Sequence, residues 1–179
     1  MATSAIVTPI PTSPTVAGGD WVGLALAAAT PLALFGLANV MAEPLGGMPL
    51  FFAPFGLPGW VGGALHLLGL PLYGAAARMV ARQGAEGHIA ARWIVALTLG
   101  TIAFPFIVAP LDSLVLAMVT MALLALGLAT LGRVVKVSPR AGLLMAPGLV
   151  WIGTSALVGL AYTAGWTPPF APLNAVQTA

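Results

Sequence analysis

One apolar stretch, from Phe51 to Ala77, carries the residue types that could do chemistry inside this chain. It contains His66 and Tyr73, and on a helix of about 3.6 residues per turn both side chains fall along one seam. The other members of that seam are small residues: Gly62, Gly69 and Ala76. Small residues let a neighbouring helix approach closely, whereas an imidazole and a phenol need polar partners. We therefore expect this seam to help hold a ligand.

His66 has two interpretations that the sequence leaves open. It lies roughly 9 Å below the start of its predicted helix, at about 1.5 Å per residue, where an unpartnered histidine is costly. The functional interpretation is a ligand contact, or an axial ligand to a haem-like metal. The structural interpretation is a neutral imidazole bonded to a backbone carbonyl or a nearby hydroxyl. We favour the structural interpretation over metal ligation, and we leave pocket lining open.

Trp151 is the second candidate, because the other tryptophans fall near predicted helix ends, where anchoring at the membrane interface explains them. Trp151 lies deep in its helix and shares a stripe with Gly148, Ser155 and Tyr162. A buried indole that faces a glycine forms a flat recess suited to a planar aromatic ligand. Ordinary helix packing explains the same stripe equally well.

No catalytic arrangement is predicted. The absence of cysteine excludes a disulfide, a thiolate metal site and a cysteine nucleophile. The few acidic residues fall near helix ends or in a basic connection, so they form no acid–base pair, and none lies at the centre of a span as a proton-coupled pump would need. No spacing matches a metal cluster, a nucleophile triad or a phosphate loop. The sequence therefore indicates binding rather than catalysis, with no catalytic residue and no required cofactor.

The composition predicts an integral membrane protein. Hydrophobic residues make up 60% of the chain and charged residues 6%, with a mean hydropathy of +1.05, against roughly one-quarter charged in soluble domains. The apolar runs are long enough for helices to cross the hydrocarbon layer, and the short alternating segments of a β-barrel are missing. The net charge of +2 rests on a handful of side chains, so we expect the lipid bilayer and no nucleic acid as partners.

We predict an all-α bundle of five transmembrane helices in one domain, residues 20–165. The expected spans are 20–41, 58–82, 91–109, 113–132 and 141–165. Residues 42–59, named the first loop below, are rich in Pro and Phe and should lie on the membrane or fold over a pocket. Residues 1–19 read as an irregular N-terminal arm and 166–179 as a Pro-rich tail. Asp20 should cap the first helix, and Asp112 with Ser113 the fourth.

The distribution of charge predicts the orientation of the bundle. All six basic residues fall in or beside two connections, between the second and third helices and between the fourth and fifth. Five spans place both connections on one side, and the positive-inside rule makes that side cytoplasmic. The N-terminus and residues 83–90 and 133–140 should then be cytoplasmic, with the first loop and the C-terminus outside. We expect the inner membrane of a bacterium.

Two stretches carry a resemblance to a known family. In FAPFGLPGWVGGALHLLGLPLYGAAA, a proline-x-tryptophan opens the second helix, and Gly74 and Ala76 form a glycine-x-alanine. In SPRAGLLMAPGLVWIGTSALV, paired leucines precede a proline that lies four residues before Trp151. These motifs resemble the TspO/MBR family, the tryptophan-rich sensory proteins related to the translocator (peripheral benzodiazepine receptor) protein. The chain departs from the family pattern at Gly148, usually tyrosine, at His66, commonly tryptophan, and at Gly159, usually asparagine.

The resemblance implies that tetrapyrroles such as protoporphyrin or haem, sterols and synthetic aromatic compounds bind between the helices, under the first loop, and that the protein tends to dimerise. We place the following residues around that ligand: Phe51, Phe52, Phe55, Trp60, His66, Tyr73, Trp151 and Ser155. The predicted function is a receptor or carrier for a hydrophobic planar small molecule, with a tetrapyrrole as the leading candidate. The alternative is an accessory subunit of a larger membrane complex that has lost ligand binding, which the small-residue seams and uncharged arms favour.

Overall fold

The computed structural model describes residues 20–166, and within that range the secondary structure is entirely helical. The helices are α1 Trp21–Ala42, α2 Gly59–Ala81, α3 Gly84–Ile107, α4 Ser113–Val137 and α5 Pro139–Trp166. All five are long and apolar enough to cross a membrane, which confirms the predicted class of integral membrane bundle. The first loop begins with a short 3-10 turn, Glu43–Leu45. The predicted arm, residues 1–19, and nearly all of the predicted tail lie outside the described residues.

The connection between α2 and α3 is shorter than the sequence suggested. A polar connection was expected to last until about residue 91, but α3 begins at Gly84. Gly84 has a left-handed φ of 72°, a conformation that ends α2 and turns the chain at once. The segment that follows contains good helix formers, and Glu86 in its first turn interacts favourably with the positive end of the helix dipole. Its polarity therefore reflects a helix that extends beyond the apolar layer.

Helix α2 is the centre of the bundle, because it packs against α1, α3 and α5. Its seam is buried as the helical spacing predicted, over Gly62, His66, Gly69, Tyr73 and Ala76. Helices α2 and α5 approach closely at Gly69, since a Cβ there would lie 3.2 Å from the Cα of Gly148, closer than most Cβ contacts in proteins. Close approach of this kind supplies the packing that holds membrane helices together in lipid.

Helix α1 lies at the edge of the bundle, and its buried residues are Pro31 and Phe35. Asp20 precedes it but makes no capping bond, contrary to prediction. Its carboxylate instead forms ion pairs with Arg82 and, at 3.3 Å, with Arg78. These pairs fasten the start of α1 to the end of α2. We call this end of the bundle, where Lys136 also lies, the basic end.

The loop between α3 and α4 ends as predicted. The Asp112 carboxylate accepts hydrogen bonds from the backbone N–H groups of Leu114 and Val115, both at 2.9 Å. An acidic side chain at this position satisfies N–H groups that have no partner within the helix. Asp112 therefore fixes where α4 begins, at the end of the bundle that also carries the first loop.

Candidate ligand-binding site

The first loop folds back over the ends of the helices and is tied to α3. The N–H of Leu50 donates to the carbonyl of Pro105 at 2.8 Å. The next residue, Phe51, packs against Gly63, where a Cβ would lie 3.2 Å from the phenyl ring. The backbone carbonyl of Phe52 lies against Gly62 so closely that a Cβ there would overlap it. The glycines that open α2 thus provide the room into which the loop fits.

A small cavity lies beneath this loop, between α2, α3, α4 and α5. It measures about 20 Å³, which is room for about one water molecule. The residues around it are mostly aromatic and aliphatic, with three polar side chains: Leu50, Phe51, Phe52, His66, Phe104, Thr120, Leu123, Trp151, Ile152 and Ser155. Two rings of the loop pack directly against other rings of the lining, Phe51 at 5.6 Å from His66 and Phe52 at 5.8 Å from Trp151, measured between ring centroids. The loop's own aromatic side chains therefore occupy the space next to His66 and Trp151.

His66 is held by a hydrogen bond that a proline makes available. Its Nε2 lies 2.9 Å from the carbonyl oxygen of Thr101 in α3. A carbonyl can only accept, so Nε2 carries the proton and donates. That carbonyl is free because the residue four positions on, Pro105, has no N–H to give it. This is the backbone-carbonyl partner that the structural interpretation of His66 proposed.

The same bond bears on haem ligation by His66. Coordination through Nε2 would break the bond to Thr101 and leave a buried carbonyl unpaired. Nδ1 has no hydrogen-bond partner among residues 20–166 and keeps its lone pair. The cavity beside it is far smaller than a macrocycle. The described arrangement therefore does not fit a haem held by Nε2, and His66 is better described as a polar lining residue.

Ser155 and Thr120 supply the remaining polar atoms of the lining. The Ser155 hydroxyl donates to the carbonyl of Trp151 at 2.9 Å, and the Thr120 hydroxyl donates to the carbonyl of Leu116 at 2.7 Å. Each hydroxyl thus donates its hydrogen to a carbonyl of its own helix, as serine and threonine often do within apolar helices. Their oxygens keep lone pairs for another partner.

The structure brings together Phe51, Phe52, His66, Trp151 and Ser155 from the predicted set, all around this cavity. It places Phe55 and Trp60 at the surface, with 78% and 74% of their areas exposed. Tyr73 is fully buried in the core instead, and its hydroxyl has no hydrogen-bond partner in the described part of the chain. A ligand contact by any of these residues stays a prediction.

Two further placements differ from the sequence interpretation. Tyr162 was expected on the same wall as Trp151, but 59% of its area is exposed. Its neighbour Thr163 is buried, and its hydroxyl lies within hydrogen-bonding distance of two carbonyls, that of Gly159 at 2.9 Å and that of Ser113 at 3.1 Å, so the end of α5 presents that side to α4. Thr120 lines the cavity although no motif singled it out. The available signal was a hydroxyl in the middle of an apolar helix.

Trp151 also borders a second space, which opens on the outer surface between α2 and α5. This groove measures about 510 Å³. Its lining is apolar throughout: Leu65, Leu68, Leu143, Ala146, Pro147, Val150 and Trp151. The indole thus stands between a wide apolar groove on the surface and the small cavity inside.

Comparison with known proteins agrees with the resemblance drawn from the motifs. The model of the TspO/MBR family matches residues 50–166, which is more than half of the chain. The match begins within the first loop and takes in every element that lines the cavity. No curated protein and no solved structure matches the chain.

Proposed function

Since the chain belongs to the TspO/MBR family, we propose that it is a membrane receptor or carrier that binds a hydrophobic planar ligand between its helices, and that this ligand is a tetrapyrrole. The observation that carries the proposal is the pairing of the Phe52 ring with the indole of Trp151, whose centroids lie 5.8 Å apart. A flat apolar ligand would replace Phe52 on that indole, with the aromatic contact preserved.

Binding of a macrocycle requires the first loop to move, because the closed cavity is too small. The loop bends at Gly46 and Gly56, which both have a φ of 73°, and Phe55, directly before Gly56, has a φ of 60°. A left-handed conformation is strained for phenylalanine, by roughly 1–3 kcal/mol, and an open loop would release that strain. Opening would also break the hydrogen bond from Leu50 to Pro105. In this proposal Phe51 and Phe52 leave the space that the ligand enters.

A titration with protoporphyrin tests the proposal. Purified protein in lipid nanodiscs should show saturable quenching of tryptophan fluorescence, after subtraction of the porphyrin that partitions into empty nanodiscs. Trp151→Phe should remove most of the saturable part, because its indole would contact the ligand. The matched control is Trp21→Phe, since Trp21 is 72% exposed and lies at the basic end. Equal quenching in both variants, or none that saturates, would reject the site.

The accessory-subunit function is the second candidate, and one observation favours it. The chain's own side chains nearly fill the cavity, as they would if ligand binding had been lost. Purification in a mild detergent separates the two functions. A stoichiometric protein partner together with no saturable porphyrin binding would support the subunit, whereas a monomer or homodimer that binds porphyrin would support the receptor.

We also propose the orientation that the charges predicted, with the basic end in the cytoplasm. The chain contains no cysteine, so single cysteines can be placed without background labelling. Met48→Cys, at a residue 75% exposed in the first loop, should react with an impermeant maleimide added to intact cells. Lys136→Cys should react only after lysis. The reverse pattern would invert the topology.

A further inference from the structure

We propose that the small cavity beside His66 is a subsite for a polar head group, and that it selects ligands that carry an O–H or N–H donor. The inference deepens the proposed function and rests on it, because it assumes that the planar ligand enters between these helices. It assigns the polar lining atoms a role in choosing among apolar ligands.

The argument begins with what the lining side chains can still offer. Nε2 of His66 is committed to Thr101, which leaves the Nδ1 lone pair as an acceptor. The hydroxyls of Ser155 and Thr120 are committed as donors to their own helices, which leaves their oxygens as acceptors. Three side chains on three helices, α2, α4 and α5, therefore line the cavity with acceptors.

The lining also includes Trp151, whose indole carries an N–H donor. The indole N–H of Trp151 belongs to a lining residue, and Trp151 also borders the outer groove. A hydroxyl can satisfy both kinds of group at once, since it donates one hydrogen and accepts through its oxygen. An ether or a ketone can only accept. It would leave Nδ1 of His66 and the hydroxyl oxygens of Ser155 and Thr120 without a donor in an apolar region.

Size and charge narrow the class of ligand further. A cavity of about 20 Å³ accommodates a group about as large as water, such as a hydroxyl, an amine or a lactam N–H. The lining residues include no Lys or Arg, so an ionised carboxylate placed there would have no countercharge. The part of the ligand that fits this cavity is therefore a small neutral donor at the edge of a flat apolar body, and any ionised carboxylate of the same ligand must lie outside the cavity. The body replaces the phenylalanine rings and the donor occupies the cavity.

A matched pair of planar compounds tests the inference. 2-Naphthol and 2-methoxynaphthalene share one ring system, and they differ in whether the oxygen carries a hydrogen. Their binding to the protein in nanodiscs should be measured by isothermal titration and corrected for partitioning into empty nanodiscs. We expect 2-naphthol to bind at least about fivefold more tightly, since one net hydrogen bond contributes roughly 1 kcal/mol.

Variants of the lining locate the preference. 2-Naphthol has one hydrogen to donate, so the three acceptors share a single hydrogen bond. Thr120→Val and Ser155→Ala should each reduce the preference for 2-naphthol by up to about twofold, and the double variant by more. The matched control is Thr130→Val. Thr130 also lies on α4 and donates to the carbonyl four residues back at 2.7 Å, but it does not line the cavity. His66→Phe should reduce the preference most, and if that variant is unstable the other two still decide.

The outcomes separate this inference from the proposed function. Tighter binding of 2-naphthol that Thr120→Val and Ser155→Ala weaken, with Thr130→Val unchanged, supports the subsite. Equal binding of the two compounds, or a preference that these variants leave intact, overturns the subsite while the binding function stands. Saturable binding of neither compound, together with none of protoporphyrin, overturns both.

Discussion

Helices α1 and α3 each contain an interior proline and each pack against α2, but they meet it through different chemistry. In α1, Pro31 has no N–H, so the carbonyl of Ala27 has no donor within its helix. That carbonyl lies against Gly74 of α2, where a Cβ would overlap it. At so close an approach, the Cα–H of Gly74 can offer this carbonyl at most a weak C–H···O contact, worth about 0.5–1 kcal/mol. The attachment of α1 at this point therefore depends on Gly74 having no side chain.

In α3, by contrast, the carbonyl released by Pro105 receives a full hydrogen bond from the imidazole of His66. Helix α2 thus accommodates a carbonyl that a proline leaves without its helical donor in two ways. Gly74 leaves room for the carbonyl of Ala27, and His66 donates a hydrogen bond to the carbonyl of Thr101. The two helices also differ in burial, since 39% of an apolar 18-residue stretch of α3 is buried and 11% of the corresponding stretch of α1. With so little buried surface, α1 should depend strongly on the fit at Gly74.

The largest effect is expected from Gly74→Ala. The new Cβ would collide with the Ala27 carbonyl, and backbone cannot move aside as a flexible side chain can. The free energy of unfolding, measured by titrating denaturing detergent into mixed micelles, should fall by roughly 3 kcal/mol. Gly36→Ala is the matched control in α1, because a Cβ there meets nothing within 4 Å. If both variants unfold alike, the steric explanation of the α1 contact is wrong.

His66→Phe should come next, with a loss of about 2 kcal/mol, because it leaves the buried Thr101 carbonyl unpaired. Pro105→Ala should rescue it, since alanine returns the missing N–H to that carbonyl within α3. In a double-mutant cycle, the cost of His66→Phe should fall below about 1 kcal/mol in the Pro105→Ala background. An undiminished cost would show that His66 acts through packing alone.

A smaller effect is expected from Asp20→Asn at the basic end. The ion pairs with Arg78 and Arg82 are partly exposed, with 41% and 48% of the arginine side chains accessible. Such pairs contribute up to about 1 kcal/mol and are screened by salt. The loss of stability should therefore shrink between low and high salt, with Glu43→Gln, an exposed carboxylate in the first loop, as the control. A loss that salt leaves unchanged would point to packing of the Asp20 side chain.

The smallest effect is expected when Pro31→Ala is combined with Gly74→Ala. Pro31→Ala gives the Ala27 carbonyl a donor within α1, but it does not move that carbonyl away from Gly74. The penalty for Gly74→Ala should therefore change by less than about 0.5 kcal/mol in the Pro31→Ala background. The same detergent titration measures it. A penalty that disappears would mean that α1 re-packs when its proline is removed.

Run length and helical periodicity were sufficient to predict five membrane-spanning helices and the buried seam of α2. Both signals are local, because they depend on spacing along one helix. The partner of His66 was not predicted, although Pro105 marked the carbonyl of Thr101 as free. Pairing the two requires the relative height of α2 and α3 in the bundle, which periodicity does not contain. The polar start of α3 was missed for a related reason, since hydropathy reports the depth of a residue in the membrane and not whether its backbone is helical.

The first loop shows the same limit at the site itself. Composition predicted that the loop would lie on the membrane or fold over a pocket, but not which of its phenylalanines face inward. Phe51 and Phe52 do so because the bond from Leu50 to Pro105 sets the direction of the chain. Phe55 faces outward beyond a turn in which its own φ is positive. These directions follow from backbone torsions that the residue types leave undetermined.

Phe51 and Phe52 of the first loop pack into the region between the helices where a ligand would bind. Their side chains therefore compete, within the same molecule, with any ligand for that region. The apparent dissociation constant is then the intrinsic one divided by the fraction of molecules whose loop is open. A loop open in about 1% of molecules would weaken binding by about 100-fold. Removal of the Phe52 ring would therefore strengthen binding while it lowers the stability of the empty protein. In this chain, affinity for a ligand and stability without one are opposing quantities.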